Sequence, residues 1–270
     1  MVKANGKPDD DLLSSYYQTS TGRMVRHLIA RKLKPTLNAL FPSGRDDLAI
    51  AALGYMRPYL KYISDHYPHL INLQTHQDSI TPWPRTSPHS TQQMRSRQSL
   101  VDITALPLLD ASLDGLFIIH GVERALSPHD VISEAWRVLK SQGSMVLVVP
   151  HRGSIWASRD DTPFGLGQPY SMNQIKTLLK DHDFEVGKIH QSLAAPPSKS
   201  SLYPRYAPFV ERLPHPFGGV LIVEARKMIY SIKGKPSGKL QRAGDLVKAS
   251  SASPSRSTHF EDLHKSDHKP

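Results

Sequence analysis

The sequence has no cysteine and no long apolar run, and each absence excludes whole classes of protein. Without cysteine, the 270-residue chain forms no disulfide, thiolate nucleophile, cysteine-ligated zinc site or iron–sulfur cluster. No apolar stretch approaches the roughly 20 residues that a membrane-spanning helix needs. The first residues carry acids where a signal peptide would place its apolar stretch. We therefore expect a cytoplasmic protein without a membrane span.

Acidic residues are also scarce, since 34 Lys and Arg face 24 Asp and Glu and give a formal net charge of +10. A basic chain favours polyanionic partners, although net charge governs encounter more than fold. One basic cluster without an acid consists of Arg23, Arg26, Arg31, Lys32 and Lys34. Its spacing spreads the charges around a helix, so we interpret it as a solvated face, with contact to nucleic acid or phosphate as the alternative.

Three segments follow from composition and periodicity. Residues 1–45 form an amino-terminal helical or cap segment, with an apolar stripe that predicts a helix over 21–40 and with Pro35 as its end or kink. Residues 46–233 alternate short apolar runs with helical patterns. Residues 234–270 are rich in Ser, Lys, His and Gly, which predicts a disordered basic tail.

The middle segment predicts an α/β fold. Its predicted strands are 48–54, 69–75, 114–121, 144–150, 185–192 and 218–230, and its clearest helices are 129–143 and 171–184. Strands that alternate with helices form a parallel sheet with helices on both faces. The proline-rich stretch 196–216, rather than a helix, precedes the last strand, so that strand can be antiparallel. We expect a three-layer, Rossmann-like, mostly parallel sheet with an antiparallel last strand.

The turn after the first strand is where such a sheet binds ligands. A dinucleotide fingerprint there has three glycines and an acid about 20 residues later. This chain has only Gly54 in the turn, and the expected window holds Asn72 and Gln74, with Asp78 slightly late. The turn by itself is therefore also compatible with a simple packing glycine.

The region from Asp102 to Pro150 carries a more specific pattern. An acid precedes Leu106-Pro107, an apolar strand ends in His120-Gly121, and a helix with the pattern E-x-x-R-V-L-K-x-x-G leads into a second apolar strand. This arrangement resembles the central half of the class I S-adenosylmethionine-dependent methyltransferases, the type 11 group in particular. The resemblance covers about 47–192. It implies the fold of that family, S-adenosylmethionine as cofactor and methyl transfer to an unidentified acceptor, either a small molecule or a macromolecule.

The resemblance also implies a set of cofactor-binding residues, which are Leu53, Gly54, Tyr55, Asp102, Ile103, His120 and Gly121. In this interpretation Asp102 accepts a hydrogen bond from the adenine amino group and Ile103 packs on the ring. His120 faces the sulfonium and the acceptor. The alternatives are that Asp102 is a turn residue and that His120 satisfies a backbone carbonyl at the strand end.

His120 is the candidate catalytic base, because the unperturbed pKa of histidine lies near neutrality. Glu123 would orient its ring if the segment is helical. We predict no metal, since two such residues do not make a metal site. The ribose-binding acid of the family is missing, and two lost hydrogen bonds to a charged acceptor cost about 3–6 kcal/mol unless neutral acceptors such as Gln74 or Asn72 compensate.

The loop after the fifth strand of the family pattern is the candidate acceptor site. Its candidate substrate-binding residues are Arg152, Trp156, Asp161, Phe164 and Tyr170. The alternative is an ordered loop in which Trp156 and Phe164 are packing anchors. Tyr16-Tyr17 with the basic helix, and the stretch 196–216, could cover the cleft as a lid.

Two other functions stay open. One is a non-catalytic binding or regulatory module that kept the sheet while the cofactor loop decayed. The other is a methyltransferase that acts on nucleic acid through the basic helix and the tail, which we do not favour.

Overall fold

The computed structural model describes residues 9–42, 45, 47–64, 67, 69–75, 83, 97–213 and 218–228. Its helices are α1 (Asp9–Gln18), α2 (Ser20–Leu40), α3 (Leu60–Ser64), α4 (Pro128–Val138), α5 (Met172–Lys180) and α6 (Tyr203–Val210). Its strands are β1 (Ile50–Gly54), β2 (Ile71–Gln74), β3 (Gln98–Leu100), β4 (Leu113–Ile119), β5 (Leu139–Pro150), β6 (Phe184–Ser192) and β7 (Val220–Lys227). Asp78 and the predicted tail lie outside the described residues.

The strands form one sheet in the order β3-β2-β1-β4-β5-β7-β6. Strands β1 to β5 pair in parallel, and β7 is antiparallel to both β5 and β6. The predicted fold class, with its antiparallel last strand, is therefore confirmed. The order reverses between β1 and β4, where the register sets Gly54 beside Ile119. The carboxyl ends of these two strands thus lie side by side at the expected ligand-binding edge.

Two apolar cores cover the two faces of the sheet. The strand β1 divides its side chains between them, with Ile50 and Ala52 in one cluster and Ala51 and Leu53 in the other, because successive strand residues point to opposite faces. Helices α1, α2, α3 and α6 contribute to the first cluster, and α4 and α5 contribute to the second. The amino-terminal helices therefore belong to the same core as the sheet.

Helix α2 runs through Pro35 rather than ending there. A proline inside a helix removes one backbone hydrogen bond. The helix continues because Leu33, Thr36 and Leu37 on either side of the proline are buried, and packing of an apolar face outweighs one lost bond.

Two further helices differ from the sequence-based predictions. The predicted helix 129–143 ends at Val138, where Lys227 Nζ donates to the carbonyl oxygens of Trp136 and Leu139 at 2.7 Å each. The chain enters β5 at Leu139. The proline-rich stretch contains α6, in which Pro lies in the first turn and Tyr203 is buried; this position tolerates the missing N–H of proline.

The described residues fall in a unit of the chain that spans Met1–Ile229, and the second unit, Tyr230–Pro270, lies outside the described residues. The segment boundaries at 45 and 233 stay predictions. In the part that the structure describes, none of the helices combines the length and the apolar character that crossing a membrane requires.

Candidate active site

The turn after β1 packs backbone against backbone. Gly54 has φ +85°, and a Cβ placed on it would lie 2.5 Å from the carbonyl oxygen of Ile119 and 3.3 Å from Cα of Gly121. The amide of Tyr55 donates to that same carbonyl oxygen at 2.9 Å. Any other residue at position 54 would strain both the backbone and this contact. Leu53 is buried in the core below α4, so only its backbone faces the turn.

His120 directly follows β4 and has a left-handed backbone with φ +54°. The residue is buried, at 4% exposure. Its Nδ1 lies 3.1 Å from Glu123 Oε1, and its Nε2 lies 2.7 Å from the hydroxyl oxygen of Tyr17. Because a carboxylate only accepts hydrogen bonds, Nδ1 carries the proton and Nε2 accepts one from Tyr17. Glu123 lies in a short 3-10 helix, Val122–Arg124, which provides the helical turn that the spacing required.

Two tyrosines complete this hydrogen-bonded network, and a third stacks on it. The Tyr17 hydroxyl lies 2.9 Å from that of Tyr59, and since Tyr17 donates to His120, Tyr59 donates to Tyr17. The rings of Tyr17 and Tyr55 are stacked with centroids 6.1 Å apart and an interplanar angle of 20°. Burial raises the pKa of Tyr17 and of Tyr59 well above the usual value of tyrosine, so both hydroxyls stay protonated at neutral pH.

The carboxyl end of β2 carries buried amides where the family has an acid. Gln74 is 2% exposed, and its Nε2 has no hydrogen-bond partner among the described residues. Asn72 donates from Nδ2 to Oε1 of Gln98 at 3.3 Å. An unpartnered amide donor at this edge fits the hydroxyl oxygen of a nucleoside ribose, because buried polar groups in native proteins are normally paired.

Asp102 and Ile103 follow β3. Asp102 is exposed, and its Oδ1 accepts from the amide of Thr104 at 2.8 Å and from the hydroxyl of Thr104 at 2.7 Å. These bonds lower the pKa of the Asp102 carboxyl and give it the turn role that we left as the alternative. The Cδ1 of Ile103 lies 3.0 Å from where a Cβ on Gly121 would be, so Ile103 closely approaches the turn after β4.

The candidate substrate residues separate into different surroundings. Trp156 is buried and donates from Nε1 to the carbonyl oxygen of Ala195 at 2.9 Å, as the packing alternative requires. Phe164 is also buried, with its ring centroid 5.3 Å from that of His120. Tyr170 belongs to the core on the other face of the sheet, where burial raises its pKa to about 12. Arg152 is exposed and donates to the carbonyl oxygen of Pro169.

Asp161 lines a cavity of about 250 Å³ near α1. It accepts from Arg159 Nε at 3.0 Å and lies 3.2 Å from Lys199 Nζ; the hydrogen bond from Arg159 and the interaction with Lys199 lower its pKa to about 2. The cavity is lined by Tyr16, Thr19, Ser20, Thr21, Arg159, Asp161, Thr162, Pro197, Ser198 and Lys199. Most of these residues were not among the predicted site residues, because they converge from three distant segments.

Tyr16 connects this cavity to the network around His120. Its ring contacts those of Tyr17 and Phe164, with centroids 5.5 Å and 6.5 Å apart. Both of these rings in turn contact His120. One layer of aromatic rings therefore separates the cavity from the candidate base.

Comparison with known proteins agrees with the fold. Residues 61–147 match the model of a family described as a methyltransferase domain, which corresponds to the predicted type 11 group. No curated protein sequence matches the chain.

Solved structures with similar folds include S-adenosylmethionine-dependent methyltransferases from three organisms. The Thermotoga maritima protein is 15% identical with a TM-score of 0.55, and the match covers 81% of this chain and 96% of that one. The Mesorhizobium loti protein is 14% identical with a TM-score of 0.50 and coverages of 72% and 96%. The Aquifex aeolicus protein is 12% identical with a TM-score of 0.50 and coverages of 82% and 98%. Residues 61–147 thus match the methyltransferase-domain family model, and the chain as a whole has the class I methyltransferase fold.

Proposed function

We propose that the chain transfers a methyl group from S-adenosylmethionine to an acceptor bound beside His120. The observation that carries this proposal is the buried pair of His120 and Glu123 at the carboxyl end of β4, next to the Gly54 turn. In open α/β sheets this edge is where ligands bind. S-adenosylmethionine supplies a methyl group already activated by a positive sulfur, so the protein has to supply alignment, a dry site and a base.

The residues that would hold the cofactor are Leu53, Gly54 and Tyr55 through their backbone, together with Gln74, Asp102, Ile103, His120 and Gly121. Gln74 Nε2 donates to a ribose hydroxyl oxygen, a bond opposite in direction to those that the missing acid would accept. Asp102 keeps one carboxylate oxygen outside its turn for the adenine amino group, since its bonds to Thr104 use Oδ1.

His120 acts as the base through Nε2. Its Nδ1 proton is directed at Glu123, which fixes the tautomer and stabilises the imidazolium that forms when Nε2 takes a proton. Both side chains are buried, His120 at 4% and Glu123 at 2% exposure. Burial strengthens their interaction because water does not screen it.

The acceptor reaches the base from the side of the cavity near α1. Tyr16, Tyr17 and Phe164 stand between the cavity and His120, so the first step of binding is displacement of this layer. Asp161, Arg152 and Phe164 remain the candidate contacts for an acceptor, whereas Trp156 and Tyr170 are packing residues in this arrangement.

Binding of S-adenosylhomocysteine tests the proposal directly. A ligand at 100 times its dissociation constant stabilises the folded chain by about 2.7 kcal/mol, which a denaturant titration resolves. We expect this gain for the native chain and its loss in Gly54→Ala, because a Cβ at position 54 collides with the carbonyl of Ile119.

Gly153→Ala is the matched control, since a Cβ there meets only ordinary contacts at 3.6 Å with His151. It should bind S-adenosylhomocysteine as the native chain does. A native chain that gains no stability at millimolar ligand would contradict the proposal and favour a non-catalytic module. Equal binding by Gly54→Ala would show that the cleft has been placed wrongly.

A further inference from the structure

Tyr17 occupies the position that an acceptor hydroxyl has to take. An acceptor that gives its proton to His120 must place its oxygen within hydrogen-bond distance of Nε2. The Tyr17 hydroxyl already lies 2.7 Å from that nitrogen. Nδ1 faces Glu123, so the ring offers only one nitrogen as a base, and Tyr17 and an acceptor exclude each other there.

The ring of Tyr17 lies in a slot of aromatic side chains. Tyr55 stacks on it, and Tyr16, Tyr59 and His120 approach it at angles of 60° to 84°, with centroids 5.5 to 5.9 Å away. These are the distances and angles that aromatic pairs prefer. The slot is therefore matched to a six-membered ring that carries a hydroxyl at the end facing His120.

We propose that the methyl acceptor is a phenol, which displaces Tyr17 from this slot and takes over its hydrogen bonds to His120 and Tyr59. This inference rests on the proposed function, because it takes His120 as the base. Tyr17 then acts as an internal competitor of the acceptor, and α1 is the element that has to move.

Other classes of acceptor fit the slot less well. A carboxylate would set a second negative charge near the buried Glu123, an arrangement that like-charge repulsion disfavours. An aliphatic alcohol would leave the ring contacts with Tyr16, Tyr55 and Tyr59 unfilled, and lost packing of this kind weakens binding. A phenol satisfies both the polar and the aromatic parts of the slot.

The reaction balances with the groups named. The phenol gives its proton to Nε2 of His120, and its oxygen forms a bond to the methyl carbon. The carbon–sulfur bond of the donor breaks, its electron pair stays on sulfur, and the positive sulfonium becomes a neutral thioether. The imidazolium of His120, held by Glu123, then loses its proton to water.

The geometry of the amino-terminal helices offers the required movement. Thr19 is the single non-helical residue between α1 and α2, with φ −69° and ψ 162°. Rotation of the backbone at Thr19 swings Tyr16 and Tyr17 together away from His120, while the twenty-one residues of α2 stay packed.

Tyr17→Gly tests the slot, because p-cresol is the side chain that this substitution removes. We expect the full-length variant to bind p-cresol at least tenfold more tightly than toluene, since only p-cresol restores the hydroxyl between His120 and Tyr59. With S-adenosylmethionine added, the variant should convert p-cresol to its methyl ether.

Binding of S-adenosylhomocysteine to the same variant separates the two proposals. If it binds but p-cresol is not methylated, the phenol assignment is wrong; if it does not bind, the proposed function itself fails.

Tyr67→Gly is the matched control. Tyr67 is equally buried, but its hydroxyl bonds to the carbonyl oxygen of Phe41 and its ring packs on Phe117 rather than on His120. This variant should bind p-cresol at most as a cavity filler and should not methylate it. Methylation at a similar rate by Tyr67→Gly would overturn the assignment.

Tyr17→Phe keeps the ring and removes only the hydroxyl, with its bonds to His120 and Tyr59, so it disturbs the packing less than Tyr17→Gly does. Without this hydroxyl, the phenylalanine of the variant would compete less strongly with the acceptor. The variant should therefore have a severalfold lower KM for a simple phenol, with kcat unchanged. A fall in kcat at constant KM would instead make Tyr17 a proton relay and would contradict its role as competitor.

Discussion

His120 adopts a left-handed backbone conformation, φ +54°, which is uncommon outside glycine, although Asn, Asp and His occupy it more often than other residues do. A side chain held there at the end of a buried strand is fixed by its surroundings: by Glu123 on one ring nitrogen and by Tyr17 on the other. Strained conformations of this kind persist where the packing around them determines the geometry. In this chain the packing aims Nε2 at the position proposed for the acceptor.

His120→Asn separates chemistry from folding at this position. Asparagine tolerates the left-handed backbone but cannot serve as a base, so we expect kcat to fall about 100-fold or more. Binding of S-adenosylhomocysteine should weaken far less than kcat falls, because the other proposed cofactor-binding residues are unchanged. The rate measured with saturating donor checks the first expectation and calorimetry checks the second. An unchanged kcat would show that the acceptor needs no base.

Asp161 gives a pH-dependent contribution to stability. Its pKa in the folded chain is about 2, below the ordinary value of 3.8, because Arg159 and Lys199 stabilise the carboxylate. A depressed pKa contributes stability that is complete above pH 4 and lost as the pH falls towards 2. We expect Asp161→Asn to flatten the free energy of unfolding against pH in that window, measured by urea titration. Identical slopes for the two chains would contradict this assignment.

The sequence predicted the relation between His120 and Glu123 but not their third partner. Residues three apart meet on one turn of helix, so the pair follows from local spacing. Tyr17 lies 103 residues away from His120, and no pattern in a single chain specifies such a contact. The interpretation of Tyr16-Tyr17 as part of a lid stays a prediction; Tyr17 bonds to His120, and that hydrogen bond could not be predicted.

At the scale of elements, the proposed acceptor reaches His120 only if the joint between α1 and α2 moves. Thr19 Oγ1 accepts from the amide of Gly22 at 2.9 Å and donates to the carbonyl oxygen of Tyr16 at 2.7 Å. One hydroxyl therefore starts α2 and also closes α1. A Cβ on Gly22 would lie 2.0 Å from that same carbonyl oxygen, so the two helices need glycine at their closest approach.

Thr19→Ala should weaken this joint. Loss of a helix N-cap costs about 0.5–2 kcal/mol, and we expect the free energy of unfolding to fall within that range. Thr19→Ser keeps the hydroxyl and should behave as the native chain. Ser15→Ala is a second control, since Ser15 is exposed and bonds only to the carbonyl of Leu12. A loss in Ser15→Ala as large as that in Thr19→Ala would contradict a specific role for the joint.

Element boundaries show where pattern reasoning fails. The capping box of α5, in which Ser171 and Gln174 bond to each other's backbone, is a local signal, and the Ser171 cap was predicted. The end of α4 depends on Lys227 from β7, which contacts it only after the sheet has formed. The strand β3 has three residues beside a polar stretch, too few for a periodic signal.

At the scale of the molecule, the strands differ in burial and pairing from the centre of the sheet to its edges. The strands β1, β4, β5 and β7 pair with neighbours on both sides, and β1 is buried along its whole length. The edge strand β3 has only three residues, two of them exposed. Stability should therefore decrease from β4 towards β3.

Native-state hydrogen exchange tests this order. Amides of β1, β4 and β5 should exchange only through global unfolding, because their bonds lie in the central core, whereas those of β3 should open locally and exchange orders of magnitude faster. Mass spectrometry of peptides from each strand provides the measurement. Protection of β3 equal to that of β4 would show that the edge is covered by something other than the described residues.

Most of the architecture was predictable because it depends on local periodicity. Apolar runs such as 48–54 and 114–121 mark strands buried on both faces, and alternation with helices gives the parallel sheet. The family resemblance around His120 supported the same fold class, whereas the order of the strands was not predicted. The contribution of α1 to the core could not be predicted, because its packing on the sheet depends on contacts far apart in sequence.

The left-handed backbone at position 120 also bears on how this protein could change over generations. Asparagine or glycine would also accept the left-handed backbone at position 120, so one substitution there could end the proposed chemistry while the strands keep their order. Relatives of this chain with and without the proposed activity would then differ at this one residue while sharing the same fold. Overall sequence similarity would not separate the two groups. The identity of the residue that follows β4 would separate them.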